Sequence, residues 1–160
     1  MSVRNAYVLS EVIKTQVNGG QVIAISGNFE TLVADDILSK YRLCKVGADW
    51  IPLQIQINCD SIGGFTDANL GLYDTLENGG AAKDYDVFMN GIDIHAGAAL
   101  GSEVSGLSNI DIDSIGEQMY QYAGDSAPTP DGMYDLVLTA DSEITGAGTV
   151  AVRMLFAKAA

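Results

Sequence analysis

The clearest pattern in the chain is an alternation of apolar and polar positions with a period of two. Trp50–Cys59 sets Ile51, Leu53, Ile55, Ile57 and Cys59 on one face and Gln54, Gln56 and Asn58 on the other, as a half-buried strand requires. Pro52 falls on the polar side and has no N–H to donate, which predicts a free edge near the start of this strand. Met133–Asp141 alternates Tyr134, Leu136 and Leu138 with Met133 and Val137, so both faces are apolar and the strand is expected to be central. Thr149–Ala157, with Val150, Val152, Met154 and Phe156 in register, reads as a terminal strand, and Gly146–Gly148 as the turn of an antiparallel hairpin between these last two. Gln21–Ser26 and Phe29–Val33 are strand-like, with Gly27-Asn28 between them as a bulge or bend. Ala34-Asp35-Asp36 reads as a turn before an imperfect strand over Leu38–Val46, and Ala68, Leu70 and Leu72 share a face in Asp67–Thr75.

Other stretches are less regular. Tyr85–Ile94 is apolar, and Asp84 at a capping position suggests a short helix over Tyr85–Met89. Ala96–Asn109 is rich in Gly and Ser and reads as a long loop, and Gln118–Tyr122 as a short strand. The first segment, Ser2–Val17, is ambiguous: Val8, Leu9, Val12, Ile13 and Val17 recur at helical spacing, whereas Ala6–Leu9 also fits an extended arm. Asn18-Gly19-Gly20 is a strong turn signal and marks a boundary. The expected organisation is an N-terminal arm, 1–19, followed by a β domain, 20–160. The fold class is all-β: an antiparallel β-sandwich, jelly-roll-like, with about eight short strands.

Composition narrows the function more than the fold. The chain has 160 residues, 48% apolar and 18% charged, which suits a single folded domain and excludes a disordered chain. Its net charge is −13. Residues 1–45 hold five basic groups against four acids, while 46–152 hold seventeen acids against Lys83 alone, or −16. Such a surface argues against nucleic acid as a partner, since phosphate contacts need Lys and Arg. It can keep the protein soluble or steer it toward a basic protein surface. No apolar run reaches the ~20 residues of a membrane span, and Met1–Leu9 lacks a signal peptide's hydrophobic stretch.

Candidate chemistry is sparse. Asp93 and His95 would share a face of a strand, yet His95 is the only histidine and a metal centre needs three or four ligands. Cys44 and Cys59 lack Cys-x-x-Cys spacing and read as reduced or buried thiols; Arg42 and Lys45 beside Cys44 would lower its pKa. Asp111–Glu117 superficially resembles a calcium loop without the spacing to a bidentate acid. Gly101–Gly106 is not a nucleophile elbow, and aromatic residues make up only 8%, which speaks against a glycosidase. No catalytic residue, cofactor or metal is assigned, and the expectation is a non-enzymatic binding or assembly protein.

A set of phrases along the chain carries a more specific resemblance. They are Gly20–Gly27, Ala34–Ile37, Leu43–Leu53, Asn58–Ser61, Ala68–Asp74, Tyr134–Ala140 and Gly146–Phe156. Together they resemble the small virion proteins of tailed bacteriophages, in the group of jelly-roll, podophage-like capsid decoration or cementing proteins. The resemblance implies a protein on the outer surface of the virion capsid that binds the major capsid protein and staples neighbouring subunits. It implies a homo-oligomer, dimer or trimer, with no nucleic-acid or membrane partner. It carries no site residues. From the residues themselves, Tyr7, Val8, Leu9, Val12 and Ile13 are expected to form a docking or exchange segment, because an apolar arm outside the sandwich needs a partner. The same residues equally fit a helix or strand packed on its own domain. Two further readings stay open: a receptor- or glycan-binding fibre or tail module, which needs clustered exposed aromatics (Trp50, Tyr73, Tyr85, Tyr120, Tyr122), and an acid-dependent hydrolase with two carboxylates in a cleft.

Overall fold

A computed structural model describes residues 2–9, 13–17, 20–129 and 131–159. Among these, ten strands follow in order: β1 (Asn5–Tyr7), β2 (Ile13–Val17), β3 (Gly20–Thr31), β4 (Ser39–Gly47), β5 (Ile51–Cys59), β6 (Ala68–Tyr73), β7 (Ala82–Ile92), β8 (Val104–Ser105), β9 (Met133–Ala140) and β10 (Gly148–Ala159). They form two five-stranded sheets, β1-β4-β9-β6-β7 and β2-β3-β10-β5-β8. Every pairing is antiparallel except the parallel pair β1–β4. Without β1 and β2, the orders β4-β9-β6-β7 and β3-β10-β5-β8 are those of an eight-stranded jelly roll, the expected all-β sandwich. The core lies between the sheets and joins Ile23, Ile25, Val152 and Phe156 of one to Tyr41, Leu70, Leu136 and Leu138 of the other.

β9 is the middle strand of its sheet, as its two apolar faces require. β3 and β10 pair without interruption from Gly20↔Ala159 to Thr31↔Gly148, so Gly27-Asn28 makes no break. The β5 pattern changes phase partway along. Leu155 pairs with Gln54 but Phe156 pairs with Pro52, which leaves Leu53 as the extra residue of a bulge. Pro52 therefore turns into the interior, and Leu53, expected there, is 51% exposed. The free edge expected at Pro52 is present, since β8 pairs only with Gln56 and Ile57.

Three expectations are corrected. Tyr85–Met89 is not a helix but part of β7, an 11-residue strand pairing with β6; the ladder with β6 outweighs a single capping signal. Gln118–Tyr122 is not a strand: Met119–Tyr122 is a helical turn, α1, with the Gln121 side chain accepting from the Gln118 N–H at 2.8 Å. β9 and β10 do not form a hairpin, because the segment between them crosses from one sheet to the other and each strand pairs within its own sheet. The N-terminal segment also takes a defined place. β1 lies beside β4 and β2 beside β3, so its described part supplies the outermost strand on one side of each sheet.

Candidate functional site

Of the residues expected to dock a partner, Tyr7 ends β1, while Val8 and Leu9 are half-buried against the core. Leu9 sits over Gly27, with its Cδ2 3.1 Å from where a β-carbon would stand. Ile13 opens β2 opposite Ala24. Val12 lies outside the described residues. Tyr7 and Leu9 help line an open cleft of about 570 Å3 together with Ile25, Leu43, Trp50, Met133, Lys45 and Lys158.

Beneath β1 lies a buried polar network that the sequence did not reveal. Arg42 of β4 and Asp135 of β9 form an ion pair at 2.6 Å, and neither side chain is exposed. The Tyr7 hydroxyl donates to the Asp135 carboxylate, with its two oxygens at 2.7 and 2.8 Å. The Arg42 guanidinium also donates to Asn5 Oδ1 at 2.7 Å and to the carbonyls of Asp74 and Gly80 at 3.2 and 3.0 Å. The Tyr73 ring lies 5.5 Å from the Arg42 guanidinium. Burial pushes the Asp135 carboxyl up, against the pull of Tyr7 and Arg42. Burial and the Asp135 carboxylate push the Tyr7 hydroxyl up as well, so it remains a donor. Every described buried side-chain polar atom has a hydrogen-bond partner. β1 is therefore not a loose attachment: Asn5 and Tyr7 complete the solvation of a charge pair that water cannot reach.

The remaining chemical candidates do not converge. His95 Nδ1 lies 2.6 Å from Asp93 Oδ1, but both side chains are half exposed. Among the described residues, no group of three His, Cys, Asp or Glu side chains is placed to hold a metal ion. The Cys44 thiol is pushed up to about 12 by burial and then by Asp135, the reverse of what flanking cations suggested; such a thiol is unreactive at neutral pH. Asp111–Glu117 contains a 3-10 turn over Ile112–Ser114. Of the aromatics that a sugar-binding face would need, Trp50, Tyr73 and Tyr122 are buried and Tyr120 is partly buried, leaving Tyr85 as the exposed one. They make no platform. Among the described residues, no helix is long and apolar enough to cross a membrane.

No family model and no curated protein matches the chain. Two solved structures share the fold. A chain in the capsid asymmetric unit of cyanophage Pam1 superposes with a TM-score of 0.55 at 14% identity, covering 90% of this chain and 89% of that one. A chain in the capsid of Ralstonia phage GP4 superposes with a TM-score of 0.52 at 11% identity, covering 92% of each. At such identities the likeness is one of architecture. It spans nearly the full length on both sides, so the whole jelly roll is shared rather than a fragment of it.

Proposed function

We propose that this protein is a non-enzymatic structural component of a tailed-phage virion. On this reading it binds the outer surface of the capsid and cements neighbouring major capsid subunits. The observation behind it is the near-full-length likeness to chains of two phage capsids. The scarcity of converging chemistry and the missing aromatic platform support it against a hydrolase or a glycan-binding module. The action would be thermodynamic. A protein that binds the assembled shell and not its separated subunits stabilises the shell by about 2.7 kcal/mol per site at a free concentration of 100 Kd. Copies that each touch two subunits gain further from effective concentration. A dimer or trimer suits the symmetry of a shell. Tyr7, Val8, Leu9, Val12 and Ile13 belong to a segment whose described parts are edge strands, where a neighbouring chain can add or exchange a strand.

The test is co-sedimentation of purified protein with empty heads of the phage that encodes it. Saturable binding, with heads that withstand higher temperature when loaded, is expected. Protein that stays in the supernatant at every concentration overturns the proposal, and binding to glycans in its place would favour a fibre module.

A further inference from the structure

On the side of the sandwich away from β1 and β2, segment 107–117 runs along the free start of β5. Its inward side chains, Leu107 and Ile110, pack against the core. Its outward ones include Ile112 and Ile115, which are 82% and 72% exposed. Ile112 opens the 3-10 turn Ile112–Ser114, and Ile115 is the extended residue that closes it, so the two stand at either end of one turn. Leu53, turned outward by the β5 bulge, lines an apolar cleft of about 190 Å3 with Pro52, Leu107 and Ile115. Ile115 and Leu53 meet in this cleft, and the exposed Ile112 opens the adjoining turn, so these are more than scattered surface residues.

The charge around this feature decides what can cover it. Asp111, Asp113 and Glu117 alternate with the isoleucines along the segment. A second cleft of about 270 Å3, on the other flank, is lined by Asp84, Asp86 and Asp111 together with Asn90 and Asn109. Burial and the neighbouring Asp86 push the Asp84 carboxyl up, as expected of like charges held close. No Lys or Arg occurs anywhere from residue 84 to residue 152. A second copy of this chain, itself at −13, would be repelled from the face, as would any acidic surface.

We propose that Leu53, Ile112 and Ile115 dock into an apolar pocket on a partner protein whose rim carries Lys and Arg, one of which enters the Asp84–Asp86–Asp111 cleft. If the protein is a capsid-binding one, as proposed above, this face is the one turned toward the shell. The aliphatic side chains supply the buried area, and the carboxylates supply orientation and association rate.

The experiment uses the full-length chain and empty phage heads, read by co-sedimentation across a salt series. Ile112→Ser with Ile115→Ser is expected to weaken binding at least tenfold. Asp111→Asn with Asp113→Asn is expected to weaken it several-fold at low salt and to flatten its salt dependence. Leu100→Ser is the control: Leu100 is 80% exposed but lies near the other end of β5, and its loss is expected to leave binding unchanged. All these side chains are exposed, and unchanged melting curves confirm that each variant is folded. Wild type that binds while the isoleucine variant binds as tightly overturns this face alone. Wild type that fails to bind overturns the capsid role and this docking together.

Discussion

On the outer face of the β4–β9 sheet, Arg42, Asn69, Tyr73, Asp135, Val137 and Thr139 are all buried. The β3–β10 sheet instead leaves Ser26, Gln56, Ala151, Arg153 and Leu155 wholly or partly in solvent. The first face has a roof. Tyr7 caps Asp135 from one side, the carbonyls of Asp74 and Gly80 reach Arg42 from the loop after β6, and the start of β7 crosses directly over Gly71. Asn69 is fully used beneath it, donating toward Asp67 and Asp141 and accepting from the Gly91 N–H. Among the described residues the second face is covered where Asn58 donates to the carbonyls of Ala98 and Ala99 but is otherwise open, and Arg153 there meets Glu103 and Asn58. A polar residue on the covered face is a structural commitment, because nothing but the protein can solvate it. Where the second face is open, as at Arg153, a polar residue is a solvated group that can be exchanged at small cost.

Removing Arg42 tests this difference most severely. Arg42→Met leaves Asp135 buried without its counter-ion and is expected to cost about 3–5 kcal/mol in chemical denaturation. Arg153→Ala on the open sheet is expected to stay within about 0.5 kcal/mol. Equal costs for the two would abolish the distinction between the faces. For the same reason, deleting the first strand is expected to destabilise the whole sandwich, so loss of capsid binding in such a truncation would not by itself identify a docking arm.

Gly71 is the next most sensitive position. A β-carbon there would stand 2.1 Å from the Asp84 carbonyl oxygen, with the Tyr85 backbone also within 2.5 Å, so β7 itself would have to move. Gly71→Ala is expected to cost about 1–3 kcal/mol. Gly27→Ala, on the other sheet, meets only the Leu9 side chain, which can rotate, and is expected to cost less than about 1 kcal/mol. Thermal melts of the two variants give the comparison, and a Gly71→Ala protein as stable as Gly27→Ala would mean that β7 does not cross as described.

These contrasts mark how far the sequence is legible. Period-two patterning places β5, β9 and β10 and the sandwich class, because one face of each strand meets a continuous apolar core. It misleads where the pattern depends on pairing. The bulge at Leu53 reverses the faces of Pro52 and Leu53, and no local residue announces it. Tyr85–Met89 is apolar enough for either a helix or a strand, and only β6 decides. The N-terminal segment reads as an arm because its apolar residues have no partner nearby in sequence; its partners are β4 and β3, more than 30 residues away for β1. Arg42 and Asp135 look like surface charges for the same reason, since their burial depends on a roof assembled from residues 7, 74 and 80. Charge placement did carry information about the candidate docking face: the run without Lys or Arg from 84 to 152 is visible in the sequence, and the fold adds the exposed Ile112 and Ile115.

Tyr7→Phe probes the covered face more gently. It keeps the ring and removes only the hydroxyl that donates to Asp135. Asp135 keeps Arg42, so the expected cost is about 1–2 kcal/mol, a fall in Tm of roughly 2–8 °C. Calorimetry on Tyr7→Phe, Arg42→Met and the double variant tests whether the two groups act as one network. Additive losses would separate them, whereas a double variant little worse than Arg42→Met alone is the expected result.

The smallest expected effect lies at the margin of the roof, where Asp84 is half-buried beside Asp86. Burial first, and then Asp86, raise the Asp84 carboxyl above its ordinary value. A carboxyl raised by folding favours the folded state while it is protonated, below the unfolded pKa of about 3.9. That contribution is lost as pH climbs through the folded value. Asp84→Asn removes the titration, so the difference in stability between Asp84→Asn and wild type should be least at low pH, rise across the weakly acidic range and level off toward neutrality. Because Asp84 is only half-buried, the plateau is expected to be modest, about a degree in Tm. A difference that is flat from acid to neutral pH would mean that the β7 end of the roof leaves Asp84 as well solvated as a residue on the open sheet. A difference that falls with pH would mean that its charge is stabilised there, and the covered face would then end before β7 begins.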